Sequence, residues 1–189
     1  MLDSHDHQED AQCARRFKAV ENAKVGSKSQ DVTGIVAISC ARHGCVAPRS
    51  VADLDKGEQQ KNVDFAFLEA LKTTNVDGIP QVVLLYDIAC QYCIHFMERN
   101  TGKLPDRTKF DRAVGVFHLR GHNRECGNNY SPVFILGIGI VSGEILETVW
   151  AVLNAVSPSV CTASQATRVE LLDNHLSDMN WRKILATGE

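Results

Sequence analysis

Residues 78–93 read "GIPQVVLLYDIACQYC", and the fold turns on how this stretch divides. Gly78 and Pro80 punctuate its start. The continuous apolar run that follows predicts a strand covered on both faces, because a half-exposed strand would alternate apolar and polar residues. No charge appears until Asp87, alone at the strand's tip. Ile88, Tyr92 and Phe96 then recur at a spacing of four, predicting that "IACQYCIHFMERN" runs on as a helix. Cys90 and Cys93 inside it are spaced like metal or redox ligands.

Outward from this centre the same logic places further elements. "TGIVAISCA" is short, rich in β-branched residues and opened by Gly34, which predicts a buried strand. "RHGCVAPRS" reads as turn material. From Lys61 to Leu71, the residues Val63, Phe67, Ala70 and Leu71 share one helical face, with Asn62 as a candidate cap. A short strand is expected around "AVGVFHL". In the closing segment "VSGEILETVWAVLNAV", Ile145, Leu146, Val149, Trp150, Val152, Leu153 and Val156 cover one apolar face, while Glu144 and Glu147 lie opposite. Strand, helix, strand and helix in that order indicate an α/β layer. Residues 1–12 are expected to be a disordered start, "QCARRFKAVENAKV" a helix, and residues 13–189 one partial domain.

Composition excludes several classes. With 189 residues, 44% hydrophobic and 23% charged, the chain is sized for one core and is not a disordered polymer. A net charge of -3 leaves no global footprint for nucleic acid or anionic lipid. The acidic start "MLDSHDHQED" is not a secretory leader, and no run of about 18 uninterrupted apolar residues predicts a membrane span. Seven cysteines, an odd number in a chain able to fold without staples, indicate reduced thiols.

The segments "CARHGCVAPRSVADLDKGEQQKNVDFAF", "VVLLYDIACQY", "FHLRGHNREC", "SGEILETVWAVLN" and "LLDNHLSDMNWRK" occur in one fixed order. Together they resemble the Kyakuja-Dileera-Zisupton (KDZ) transposases of fungal mobile elements, over roughly Cys13 to Lys183. The resemblance implies an RNase H-like core of the DDE type, in which acids hold divalent metal ions and cut and rejoin DNA. Two hard cations supply that chemistry by neutralising the transferring phosphoryl group and activating an oxygen nucleophile. Position by position, it makes Asp87, Glu144 and Glu147 the catalytic and metal-binding acids, without deciding between the glutamates. It adds His118, His122, Cys126, Asp64 and Trp150 as supporting residues and implies Mg²⁺ or Mn²⁺. The partners would be DNA at the transposon ends, with self-association or a full-length transposase besides, in the nucleus and away from membrane.

The departures shape the expectation too. The family's additional aspartate, on an earlier strand, has no counterpart: Asp3, Asp6 and Asp10 lie in a polar stretch unable to form a buried strand. Ser142 stands where an aspartate usually precedes the glycine, and "FILGIGIV" is more apolar than the family's loop there. The chain is therefore expected to be an N-terminally truncated catalytic fragment, inactive by itself. The alternative is a non-catalytic remnant or a co-opted module that binds DNA or protein.

Zinc is weighed separately. His118, His122 and Cys126 follow at spacings of four and would need Cys90 and Cys93 to complete a tetrahedron. The expected helix makes packing thiols the favoured reading, so zinc is not expected. For DNA the candidate cations are Arg42, Arg49, Lys56, Arg120, Arg124, Arg168, Arg182 and Lys183. No base-reading motif accompanies them.

Overall fold

The computed structural model describes Cys13, residues 32–55 and residues 57–187. The strands are β1 (Gly34–Ser39), β2 (Val46–Leu54), β3 (Gln81–Leu85) and β4 (Lys109–Ala113). The helices are α1 (Gln60–Thr73), α2 (Ala89–Tyr92), α3 (Phe96–Arg99), α4 (Arg124–Asn129), α5 (Ile145–Thr162) and α6 (Gln165–Ala186). The mixed α/β class is the one the sequence indicates. Among the described residues, however, the strands form two separate two-stranded sheets: β1 with β2, antiparallel, and β3 with β4, parallel.

The β1–β2 ribbon is covered on both faces, and period-two alternation sorts its residues. Val36, Ile38, Ala52 and Leu54 pack towards Val63, Ala66 and Phe67 of α1. Ile35, Ala37, Val46 and Val51 pack towards Val149 and Leu153 of α5 and Leu176 and Met179 of α6. β2 was expected to be turn material because Pro48 and Arg49 interrupt it, and Arg49 sits in the left-handed region at φ 59°. Pairing with β1 overrides that local signal. The register slips between Ala37 and Ser39, and the buried Ser50 hydroxyl reaches the carbonyls of Ile38 and Ala47 at 3.0 and 2.7 Å.

Other expectations shift for identifiable reasons. Asn62 does not cap α1; its amide donates to the Asp53 carbonyl at 2.8 Å, tying the helix to the end of β2. The helix expected after Asp87 breaks into α2 and α3 around Cys93–His95, because Asp64 draws Arg99 and Tyr92 into one network. Arg99 Nε donates to Asp64 at 2.8 Å and the Tyr92 hydroxyl at 2.5 Å. The fourth strand ends at Ala113, before "VGVFHL". There the main chain leaves the sheet, with Val114 N–H on Tyr130 and Val116 N–H on Ser142, both at 2.8 Å. In α5 the apolar face is narrower than expected: Val149 is fully buried but Val152 is 46% exposed. The segment "LLDNHLSDMNWRK" lies in α6, whose N-cap Ser164 accepts from Thr167 N–H. The expected disordered start, the helix of "QCARRFKAVENAKV" beyond Cys13, and Lys56 lie outside the described residues.

Candidate functional site: an open acidic cluster beside a closed thiol cluster

Both strands of the parallel pair deliver side chains to one end, where ligands characteristically bind such sheets. Asp87 follows β3. After β4, Gly115 leads into a 3₁₀ turn, His118–Gly121. The first turn of α5 arrives from the other side, with Glu144 as its N-cap residue and Glu147 in its first turn.

His118 Nε2 is the meeting point. It stands 3.2 Å from Glu144, 3.5 Å from Asp87 and 3.9 Å from Glu147. Both glutamates therefore stand at the same imidazole. Glu144 is the more enclosed, its side chain 23% exposed against 61% for Glu147, and its Oε1 accepts from the Phe117 N–H at 3.0 Å. Gly115 leaves it room, because a Cβ there would displace the Glu144 carboxylate. Asp87 is held above the usual carboxylate range. Burial is the main cause; Glu147, Glu144 and Glu58 add to it, and His118 opposes it.

Immediately behind lies a second cluster. The ligand atoms of Cys13, Cys90, His122 and Cys126 all fall within 4.8 Å of one another. Cys13 Sγ is 3.4 Å and Cys90 Sγ 3.6 Å from His122 Nδ1, and Cys126 Sγ is 3.5 Å from Cys13 Sγ. The three thiols are 0–2% exposed. Zn–S bonds of about 2.3 Å and Zn–N bonds of about 2.0–2.1 Å in a tetrahedron place ligand atoms roughly 3.5–3.8 Å apart. The observed separations fit. Burial of the thiols side by side raises Cys90 far above an ordinary cysteine, an arrangement that a soft dication relieves by taking them as thiolates.

This arrangement overturns the cofactor expectation: the donor set of three sulfurs and one imidazole points to zinc, not to Mg²⁺ or Mn²⁺. The sequence reading had weighed the right chemistry with the wrong members. Cys90, His122 and Cys126 belong, but His118 turns to the acids. Cys93 is buried apart from the cluster, its thiol pushed up to about 11 mainly by burial. Cys13 was missed. It lies 77 residues before Cys90, and no spacing rule connects the two.

A scan against family models matches residues 2–180 to the Kyakuja-Dileera-Zisupton transposase. The chain belongs to the KDZ transposase family. No curated protein and no solved structure matches it. The KDZ match spans both clusters, and the two are physically joined. The main chain of Asp87 lies beside the His122 ring and opposes the downward shift that burial imposes on it. The acid's main chain thus neighbours a member of the thiol cluster, where outer-shell groups tune imidazole ligands in metal sites.

The remaining expected residues take other places. Asp64 is remote from the acids, bonded to Arg99, Tyr92 and Asn100 and held below the usual range despite its burial. Trp150 packs against the second core cluster. Most of the candidate cations are engaged within the chain. Arg42 donates to the Ile138 carbonyl, Arg49 pairs with Glu69, Arg168 with Asp53 and Arg182 with Asp178, and Lys183 donates to the Gly44 carbonyl. Arg120 lies over Phe117 beside the acidic end.

Proposed function

We propose that the chain is the DNA-processing region of a KDZ transposase, with Asp87, Glu144 and Glu147 as the groups that act on the phosphodiester. The carrying observation is the convergence of three carboxylates from two elements on one imidazole, at an open end of a parallel strand pair. An acid at the C-terminal edge of such a pair, faced by a helix bearing glutamates, is the arrangement expected of an RNase H-like core. Asp87, with its raised proton affinity, is suited to take a proton from an attacking water or hydroxyl. His118 holds the acids together and offsets their mutual repulsion, and Arg120 stands where an approaching phosphate would pass. Zinc in the Cys₃His cluster would supply no chemistry: four protein ligands close its coordination. It would fix His122 and, through it, the main chain of Asp87. Action on DNA would place the protein in the nucleus.

The test is nicking and strand transfer on supercoiled DNA bearing the element's ends, using zinc-loaded protein. Activity that disappears in Asp87→Asn and Glu144→Gln supports the reading. Equal activity in those variants, or none in the wild type, would overturn it and leave a binding module.

A further inference from the structure

Among the described residues β1 and β3 each pair along one side only, β1 with β2 and β3 with β4. Their other edges line a single cavity of about 730 Å³. Every residue of Ile35–Ser39 and of Val82–Tyr86 contributes to its wall. Side chains alternate between the faces of a strand, so an unbroken run of lining residues means that the edge itself, with its N–H and C=O groups, looks into the space. Phe67 and Leu71 of α1 and Leu146 and Trp150 of α5 also line it. The space therefore offers main-chain partners on two sides and apolar cover besides. It accounts for β3 as well: only Leu84 of this apolar strand is buried. An extended segment of about five to six residues, apolar throughout, is what such a slot accepts.

The chain presents such a segment on its surface. Residues 133–141, "VFILGIGIV", contain no charge, and Val133, Phe134, Leu136 and Ile140 are 74, 69, 90 and 103% exposed. Gly137 and Gly139 turn it outward at φ 85° and 68°. Glycine leaves that region for an extended conformation without steric cost. Among the described residues, its one side-chain hydrogen bond is that of Arg42 to the Ile138 carbonyl, 2.5 Å.

We propose that residues 133–141 of a second copy enter the slot as a strand, joining the two small sheets into one five-stranded sheet. Reciprocal exchange closes the assembly as a dimer. Main-chain bonding on both sides is the strand-addition mode of recognition, and apolar burial on both faces sets its preference.

Analytical ultracentrifugation of the full zinc-loaded chain across concentrations tests this, together with hydrogen exchange of the β1 and β3 amides. Wild type should self-associate, and Leu136→Lys with Ile140→Lys should weaken association by roughly tenfold or more. Both positions are exposed, so zinc content and circular dichroism should not change. The amides of Ile35–Ser39 and Gln81–Leu85 should gain protection in the associated form. A wild type that stays monomeric, a double variant that associates as before, or association without new protection there would each overturn the proposal. The last outcome would point instead to the exposed Trp181, Ile184 and Leu185 of α6.

Discussion

His118 and His122 stand four residues apart on one short turn, yet they serve opposite environments. His118 faces water and three carboxylates, and His122 faces three buried thiols. The thiol cluster is closed: its three sulfur donors are 0–2% exposed, and once filled by zinc it has no vacant position. The acidic cluster is open and electrostatically unsatisfied, with Asp87 57% exposed at its side chain and still carrying a raised proton affinity. The difference separates a part suited to hold a metal from the part proposed to act on DNA. The Asp87 backbone, beside the His122 ring, is where they meet.

The largest effect should come from breaking the closed cluster. Cys90→Ser or Cys126→Ser removes a ligand from a site whose metal contributes on the order of 10 kcal/mol in small zinc modules. Cooperative thermal unfolding should be lost, and a strong chelator should do the same to wild type. Next comes Asp64→Asn, which strips the partner from Arg99 beneath the broken helix and should cost about 2–3 kcal/mol in denaturant melts. Its pH dependence is a sharper check. Because the folded state holds Asp64 below the usual range, its stabilisation is present above the ordinary aspartate pKa and is lost as pH falls through the folded value. Wild type and variant should therefore converge in acid.

Asp87→Asn should do the reverse. A raised pKa means that ionising Asp87 costs the folded state, so the contribution declines as pH rises from the ordinary aspartate value through the raised one. The variant should melt slightly higher than wild type at neutral pH while losing DNA cleavage. A lower melting point would mean that Asp87 is a structural partner of His118 and not a strained reactive group. Smallest of all, Arg182→Ala breaks only an exposed pair, with side chains 76 and 55% exposed, and should change stability by less than about 0.5 kcal/mol.

The sequence made the acidic cluster more legible than the thiol cluster, and the reason is locality. Asp87 announces itself at the end of an apolar run, and Glu144 and Glu147 share one helical turn, so each is marked by its neighbours. Cys13 has no such marker, and only the tertiary fold brings it to Cys90. The expected helix through Cys93 likewise hid the ligand set, because a continuous helix would have made Cys90 and Cys93 equivalent. The break around Cys93–His95, drawn by Asp64 and Arg99 from distant positions, separates them. β2 was invisible for a related reason: Pro48 and Arg49 read locally as a turn, and only pairing with β1 makes them a strand. The apolar run of β3 predicted cover on both faces, whereas among the described residues one of its edges is unpaired and opens on a cavity.

The central claim is that a closed zinc site backs the aspartate proposed to react. Metal analysis with zinc X-ray absorption on the reduced, purified chain tests it most directly. The account predicts one zinc per chain, with three sulfurs at about 2.3 Å and one nitrogen at about 2.0–2.1 Å, lost in both Cys13→Ser and Cys90→Ser. A metal-free wild type, or zinc coordinated by oxygen and retained in those variants, would contradict it.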